Sequence, residues 1–207
     1  MSGLYRTEDQ WDEWRYHKAT QDEIEIYDRI WLSRHYFDDL TFQEKSSTFS
    51  IFEADDKPDL QSFFENLVVV VDEFKNPNLL ASYNSKYHTI TVSPKVKTEE
   101  YCFLHEMIHM FDKTYDGIDG LRDAVRWRLY YSLQDKIKGL DQAILDFTKI
   151  RSLRNINRCP ENPRLFLQKH DTLFLLKSID LDIKMGYPFG TVLGYGYVDK
   201  FKGLEKT

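Results

Sequence analysis

From Phe103 to Phe111 the chain reads Phe-Leu-His-Glu-Met-Ile-His-Met-Phe, an apolar stretch broken only by His105, Glu106 and His109. Apolar side chains on nearly every side predict a helix that lies in the interior. Two imidazoles and a carboxylate carried inside each need a partner, because an unsatisfied buried polar group costs roughly 1–3 kcal/mol. Residues four apart on a helix stand on one face about one turn apart, so His105 and His109 can turn toward a single ion. In a chain of this composition the five-residue pattern arises by chance at a rate of roughly 0.01 per chain. The plainer alternative is a pair of core histidines bonded to carbonyls, with Glu106 at the surface.

Neutral imidazole nitrogen suits zinc, and a zinc site that does chemistry takes three protein ligands and keeps one position open. Zn2+ is therefore the expected cofactor. Glu106, next to the first histidine, is placed to act as a general base on a water rather than as a ligand. The third ligand must come from elsewhere. His170 is the only histidine after the motif, in a predicted helix from Leu165 to Lys184 beside Leu167, Leu173 and Phe174. Asp171 is its rival, since carboxylate oxygen also binds zinc. Among nearer acids, Asp112 suits orienting a ligand histidine, Asp119 capping the next helix and Asp116 a turn; Asp123 completes the set. A donor for a developing oxyanion is also expected, with Tyr187, Tyr195 and Tyr197 as candidates.

Composition narrows the partners. With a net charge of −6, and with Lys and Arg scattered and outnumbered, the chain is not expected to hold nucleic acid, which normally calls for a basic face. The longest apolar run, Leu67 to Val71, is far too short to span a bilayer. Met1 to Trp14 is polar and acidic and lacks the signal-peptide pattern. Two cysteines, Cys102 and Cys159, make no disulfide framework. These features lead us to expect a cytoplasmic protein without a membrane segment.

The order of elements predicts an α+β fold in one domain over 1–207, with residues 1–46 as a helical N-terminal extension. Thr7 to Arg34 has helical spacing, through Trp11, Trp14, Ile24, Tyr27, Ile30 and Trp31. Strands are expected at Ser47–Phe52, Leu67–Val71, Leu79–Tyr83 and Tyr87–Val92, with Asn84-Ser85-Lys86 as a hairpin loop and Asp59–Asn66 as a helix. Helices follow at about Thr98–Lys113, Leu121–Lys138, Asp141–Leu153 and Leu165–Lys184. Asp116 to Gly120 and Asn155 to Pro163 separate them, and Gly186–Gly203 reads as irregular or short strands.

The segment Leu104-His-Glu-Met-Ile-His-Met-Phe-Asp112, preceded by a strand and followed by a glycine-containing turn, resembles the active-site helix of zincin zinc metallopeptidases. The resemblance spans about Leu79 to Gly120. It implies a zincin-like α+β fold: a small, mostly antiparallel sheet, the metal-bearing helix, and further helices toward the C-terminus. It also implies hydrolysis of a peptide or protein substrate, with His105 and His109 as zinc ligands, Glu106 as the base, and Tyr87–Val92 or Leu79–Tyr83 as the edge that holds the substrate. Leu-His-Glu-Met-Ile-His looks like the SprT type, which places another histidine soon after the motif, where this chain has none. The metzincin glycine and third histidine are absent from Met110 to Tyr115. Asp112, three residues after His109, matches the lethal-factor type of gluzincin; the later glutamates available for that pattern are Glu161 and Glu205. The alternative from a different class is a non-catalytic zinc-binding interaction domain with a degenerate zincin fold. The intact Glu106 speaks against it.

Overall fold

The computed structural model describes residues 18–40, 64–113, 120–158, 170–194, 201 and 203–207. The chain divides into two compact units, Met1–Thr114 and Tyr115–Thr207. Among the described residues there are five α-helices, a mixed three-stranded sheet and a two-stranded ribbon, an α+β architecture.

Among the described residues of the first unit, the first helix is α1, Gln21–Ser33. Thr20 starts it through a reciprocal cap: its hydroxyl accepts from the Glu23 N–H at 3.3 Å, and Glu23 Oε2 accepts from the Thr20 N–H at 2.7 Å. The same carboxylate reaches across the fold, where Oε1 accepts from the Val71 N–H at 3.0 Å. One side chain thus satisfies an orphan helix donor and ties α1 to the first strand. A 3-10 helix, Arg34–Leu40, follows. Of the expected Thr7–Arg34 helix, residues 7–17 lie outside the described residues, as do the Ser47–Phe52 strand and residues 59–63.

Four consecutive valines form β1, Val68–Val71, as β-branched residues favour. Ala81–Asn84 is β2 and Thr89–Val92 is β3. The hairpin turns through Ser85 to His88, and His88 takes a positive φ of 49°. The strand order is β1-β3-β2. The expectation of a mostly antiparallel sheet is corrected here: β3 pairs antiparallel with β2 but parallel with β1, in the register Val68↔Thr89 to Val71↔Val92. The hairpin causes this. The chain leaves β1, forms β2 at the far edge, and folds back so that β3 fills the centre running in the direction of β1. All four β3 residues are buried.

Against β2, β3 and α1 packs α2, Glu100–Lys113. Cys102, Phe103, Leu104, Met107, Ile108, Met110 and Phe111 are all buried along it, as its apolar girth predicts. At its C-terminal end Phe111 stacks on Phe37 with ring centroids 4.7 Å apart and meets Phe64 edge-on at 5.8 Å. Each such side chain withdrawn from water contributes roughly 1.5–3 kcal/mol, so α2 is a fixed platform.

The second unit holds α3, Leu121–Gln134, α4, Leu140–Arg158, and α5, Thr172–Met185. The α3 helix ends earlier than the expected Lys138. Ile137–Lys138 instead forms β4, antiparallel to β5, Glu205–Lys206. In the turn to α4, Gly139 has φ +85°, and a Cβ there would stand 3.1 Å from the Gly203 carbonyl oxygen, so only glycine fits without displacement. The α4 helix continues through Asn155 to Arg158, where a loop was expected; residues 159–163 lie outside the described residues. The α5 helix begins at Thr172, where Asp171 caps it; residues 165–169 of the expected Leu165–Lys184 helix lie outside the described residues. It packs on α3 and is buried from Leu173 to Asp182. Among the described residues, no helix is long and apolar enough to cross a membrane.

Candidate metal centre

The helix period places His105 and His109 one turn apart on α2. Their rings lie with centroids 5.2 Å apart at 74°. Both are half-buried, whereas Glu106, rotated around the helix from them, is buried at 6% exposure. A carboxylate this enclosed requires a donor. Its Oε2 accepts from the backbone N–H of Tyr83 at 2.7 Å.

The sheet register explains that bond. Ser93 N–H donates to the Leu80 carbonyl, and Ser82 pairs with Thr91 in the antiparallel register. Hydrogen-bonded pairs alternate along such a ladder, so the polar groups of Ala81 and Tyr83 face away from β3. Tyr83 therefore offers its N–H from the outer edge of β2, and Glu106 meets it there. The Tyr83 hydroxyl lies 2.9 Å from His88 Nδ1, and burial pushes its pKa up to about 12. Tyr83 escaped the sequence reading because its contribution to Glu106 is a main-chain group, which side-chain chemistry does not reveal. Its position in the strand before the motif was the only available signal.

Cys102, one turn before Glu106, is buried, and burial drives its thiol up to about 12, with the charge of Glu106 adding to the effect.

In the second unit, His170 does not sit on a helix as expected; it stands immediately before the cap of α5. Its ring meets Phe174 edge-on, with centroids 4.5 Å apart. Asp171 is engaged at both oxygens. Oδ1 accepts from the Phe174 N–H at 3.0 Å, and Oδ2 accepts from Arg122 Nε at 3.2 Å and Nη2 at 2.9 Å. The α5 cap is thus the task this carboxylate performs, which weakens its standing as a ligand. Arg122 is a second residue that sequence reasoning missed, since a lone arginine on a helix carries no distinguishing pattern.

The other acids are placed as follows. Asp112 is in the last turn of α2. Asp123 pairs with Arg126 at 3.2 Å on the surface of α3. Gly120, not Asp119, is the N-cap of α3; Asp116 and Asp119 lie outside the described residues. Tyr187 follows the α5 C-cap, and its N–H donates to the Asp182 carbonyl. Tyr195 and Tyr197 lie outside the described residues.

His105, His109 and His170 form a three-histidine group that could hold a metal ion, each offering one ring nitrogen within 4.8 Å of the others. Two nitrogens on one tetrahedral zinc stand roughly 3.4 Å apart. Three neutral imidazoles also add no buried charge of their own. The donor set therefore fits a divalent ion such as zinc. Comparison with family models, with curated proteins and with solved structures gives no match.

Proposed function

We propose that this chain is a zinc-dependent peptidase of the zincin type, with His105, His109 and His170 as ligands and Glu106 as general base. The observation that carries the reading is the three-histidine group, two of whose members flank a buried glutamate on one helix. A zinc ion held there would supply Lewis acidity and bring the pKa of a water near neutrality. The chain's own residues would do the rest. Glu106 Oε2 is oriented by the Tyr83 N–H, so the carboxylate is held ready to take the proton of an attacking water. Apart from the Tyr83 N–H, which Glu106 occupies, the outer edge of β2 presents main-chain groups to which an extended peptide could add as a further strand. Aligning the peptide this way would place a carbonyl near the carboxylate, and orientation accounts for much of the rate gain in such reactions.

A second reading, a zinc-binding module without catalysis, draws on one observation: the Glu106 carboxylate already performs a structural task at Tyr83. Two measurements separate the readings. Purified wild type is expected to hold about one zinc per chain, and His109→Ala to lose it. Zinc-loaded wild type is expected to cleave members of a broad peptide library. Zinc bound stoichiometrically with no cleavage across the library would favour the module, and full metal retention by His109→Ala would remove the site altogether.

A further inference from the structure

We infer that Arg122 and Asp171 are positioning residues that hold His170 in the orientation in which it ligates the metal. The inference rests on the zinc reading above and assigns a task to two residues outside the ligand set.

Where His170 falls in the chain poses the problem. His105 and His109 inherit their direction from a buried helix. His170 stands in a bend outside α5, which begins at Thr172. A ligand on irregular backbone is useful only if something else limits its freedom, since ordering it on binding would cost affinity.

Asp171, its immediate neighbour, supplies the limit. It is fixed from two directions. Oδ1 is bonded to the Phe174 N–H of α5, and Oδ2 is gripped by two nitrogens of Arg122 on α3. The residue is extended, with φ −96° and ψ −165°. The chain therefore enters the helix along one direction, and His170 departs along it. Phe174, only 1% exposed, presents an immobile ring to the imidazole. One carboxylate thus links α3, the first turn of α5 and the residue beside His170.

This arrangement should matter more for the metal than for the fold. The Arg122–Asp171 pair is partly solvent-exposed, at 35% and 28% for the two side chains, and pairs of that exposure add little to stability. Partners that orient metal ligands, by contrast, typically change metal affinity about 10- to 100-fold when removed.

The test uses the full chain, stripped of metal with a chelator and titrated with zinc against a chromophoric competitor. Arg122→Ala and Asp171→Asn are each made alone and on a His170→Ala background; asparagine keeps a capping oxygen but loses the charge that Arg122 grips. Both substitutions are expected to weaken zinc binding about 10- to 100-fold, to leave thermal unfolding of the metal-free protein near wild type, and to have no further effect once His170 is alanine. Arg122→Lys should recover only part of the loss, since an ammonium cannot reproduce the two-nitrogen grip. The visible spectrum of the cobalt-substituted protein should shift in both single variants. The inference is overturned if His170→Ala weakens zinc while Arg122→Ala and Asp171→Asn do not, or if their effects persist undiminished on the His170→Ala background. If His170→Ala itself binds zinc like wild type, the third-ligand assignment fails first and takes this inference with it, so the two failures are told apart.

Discussion

Replacing Glu106 by glutamine and, separately, by alanine divides its chemistry from its structural work. Glu106 Oε2 receives the Tyr83 N–H at 2.7 Å, and the side chain is 6% exposed. Glutamine retains an oxygen of the same reach, so the edge N–H keeps its acceptor. Alanine leaves that N–H facing a gap, and a buried donor without a partner costs about 1–3 kcal/mol. Glu106→Ala should therefore be less stable than Glu106→Gln by that amount. For a chain of this length that corresponds to a gap of roughly 2–4 °C in Tm per kcal/mol. The comparison is best made between the two variants rather than with wild type, because both remove the same buried charge and its desolvation cost. Differential scanning fluorimetry and urea unfolding measure the gap. Zinc content should be unchanged in Glu106→Gln, since the residue is not among the ligands. Cleavage of any library peptide found for wild type should fall by about 10²- to 10⁴-fold, the usual contribution of a general base. Equal stability of the two variants would refute the argument from Tyr83. Wild-type turnover in Glu106→Gln would refute the role as base.

Two further outcomes follow from packing and burial. Phe111, stacked on Phe37 and edge-on to Phe64 with 1% exposure, should cost about 3–5 kcal/mol on truncation to alanine; a loss below about 1 kcal/mol in urea unfolding would show that this end of α2 collapses freely. Asp182 is fully buried, and burial raises its carboxyl to about 7 from 3.8, although the N–H groups of Gly190 and Val192, at 2.7 and 3.0 Å, pull it down. The folded state thus binds this proton more tightly than the unfolded chain, so its contribution to stability is greatest near pH 4 and is lost as pH rises to about 7. Within that window wild type should lose up to roughly 1.4 kcal/mol per pH unit relative to Asp182→Asn. Parallel Tm–pH curves for the two proteins would show that Asp182 carries no such linkage.

Much of this molecule is legible from short stretches of sequence. The helix bearing His105, Glu106 and His109 is one, because helical periodicity and burial are both written in the side chains between Phe103 and Phe111. The β2–β3 hairpin is another, since two β-rich runs separated by a short polar loop pair locally. His170 could be nominated only by counting histidines. What the local pattern could not supply were the pairings between distant segments. The parallel partnership of β1 with β3 depends on where the hairpin docks, and the valines of β1 suit either direction. The Tyr83 N–H finds Glu106 because the ladder register turns that group outward, and register is a property of two strands together. Asp171 shows the same limit most plainly. An aspartate beside a histidine serves equally as a metal ligand or a helix cap. The extended backbone at Asp171 and the arrival of Arg122 from α3 assigned it to the cap, which starts α5 at Thr172. Periodicity reports which face of a segment is buried. Which donor reaches which acceptor depends on chain segments far apart in sequence, and that is decided only when the tertiary structure brings them together.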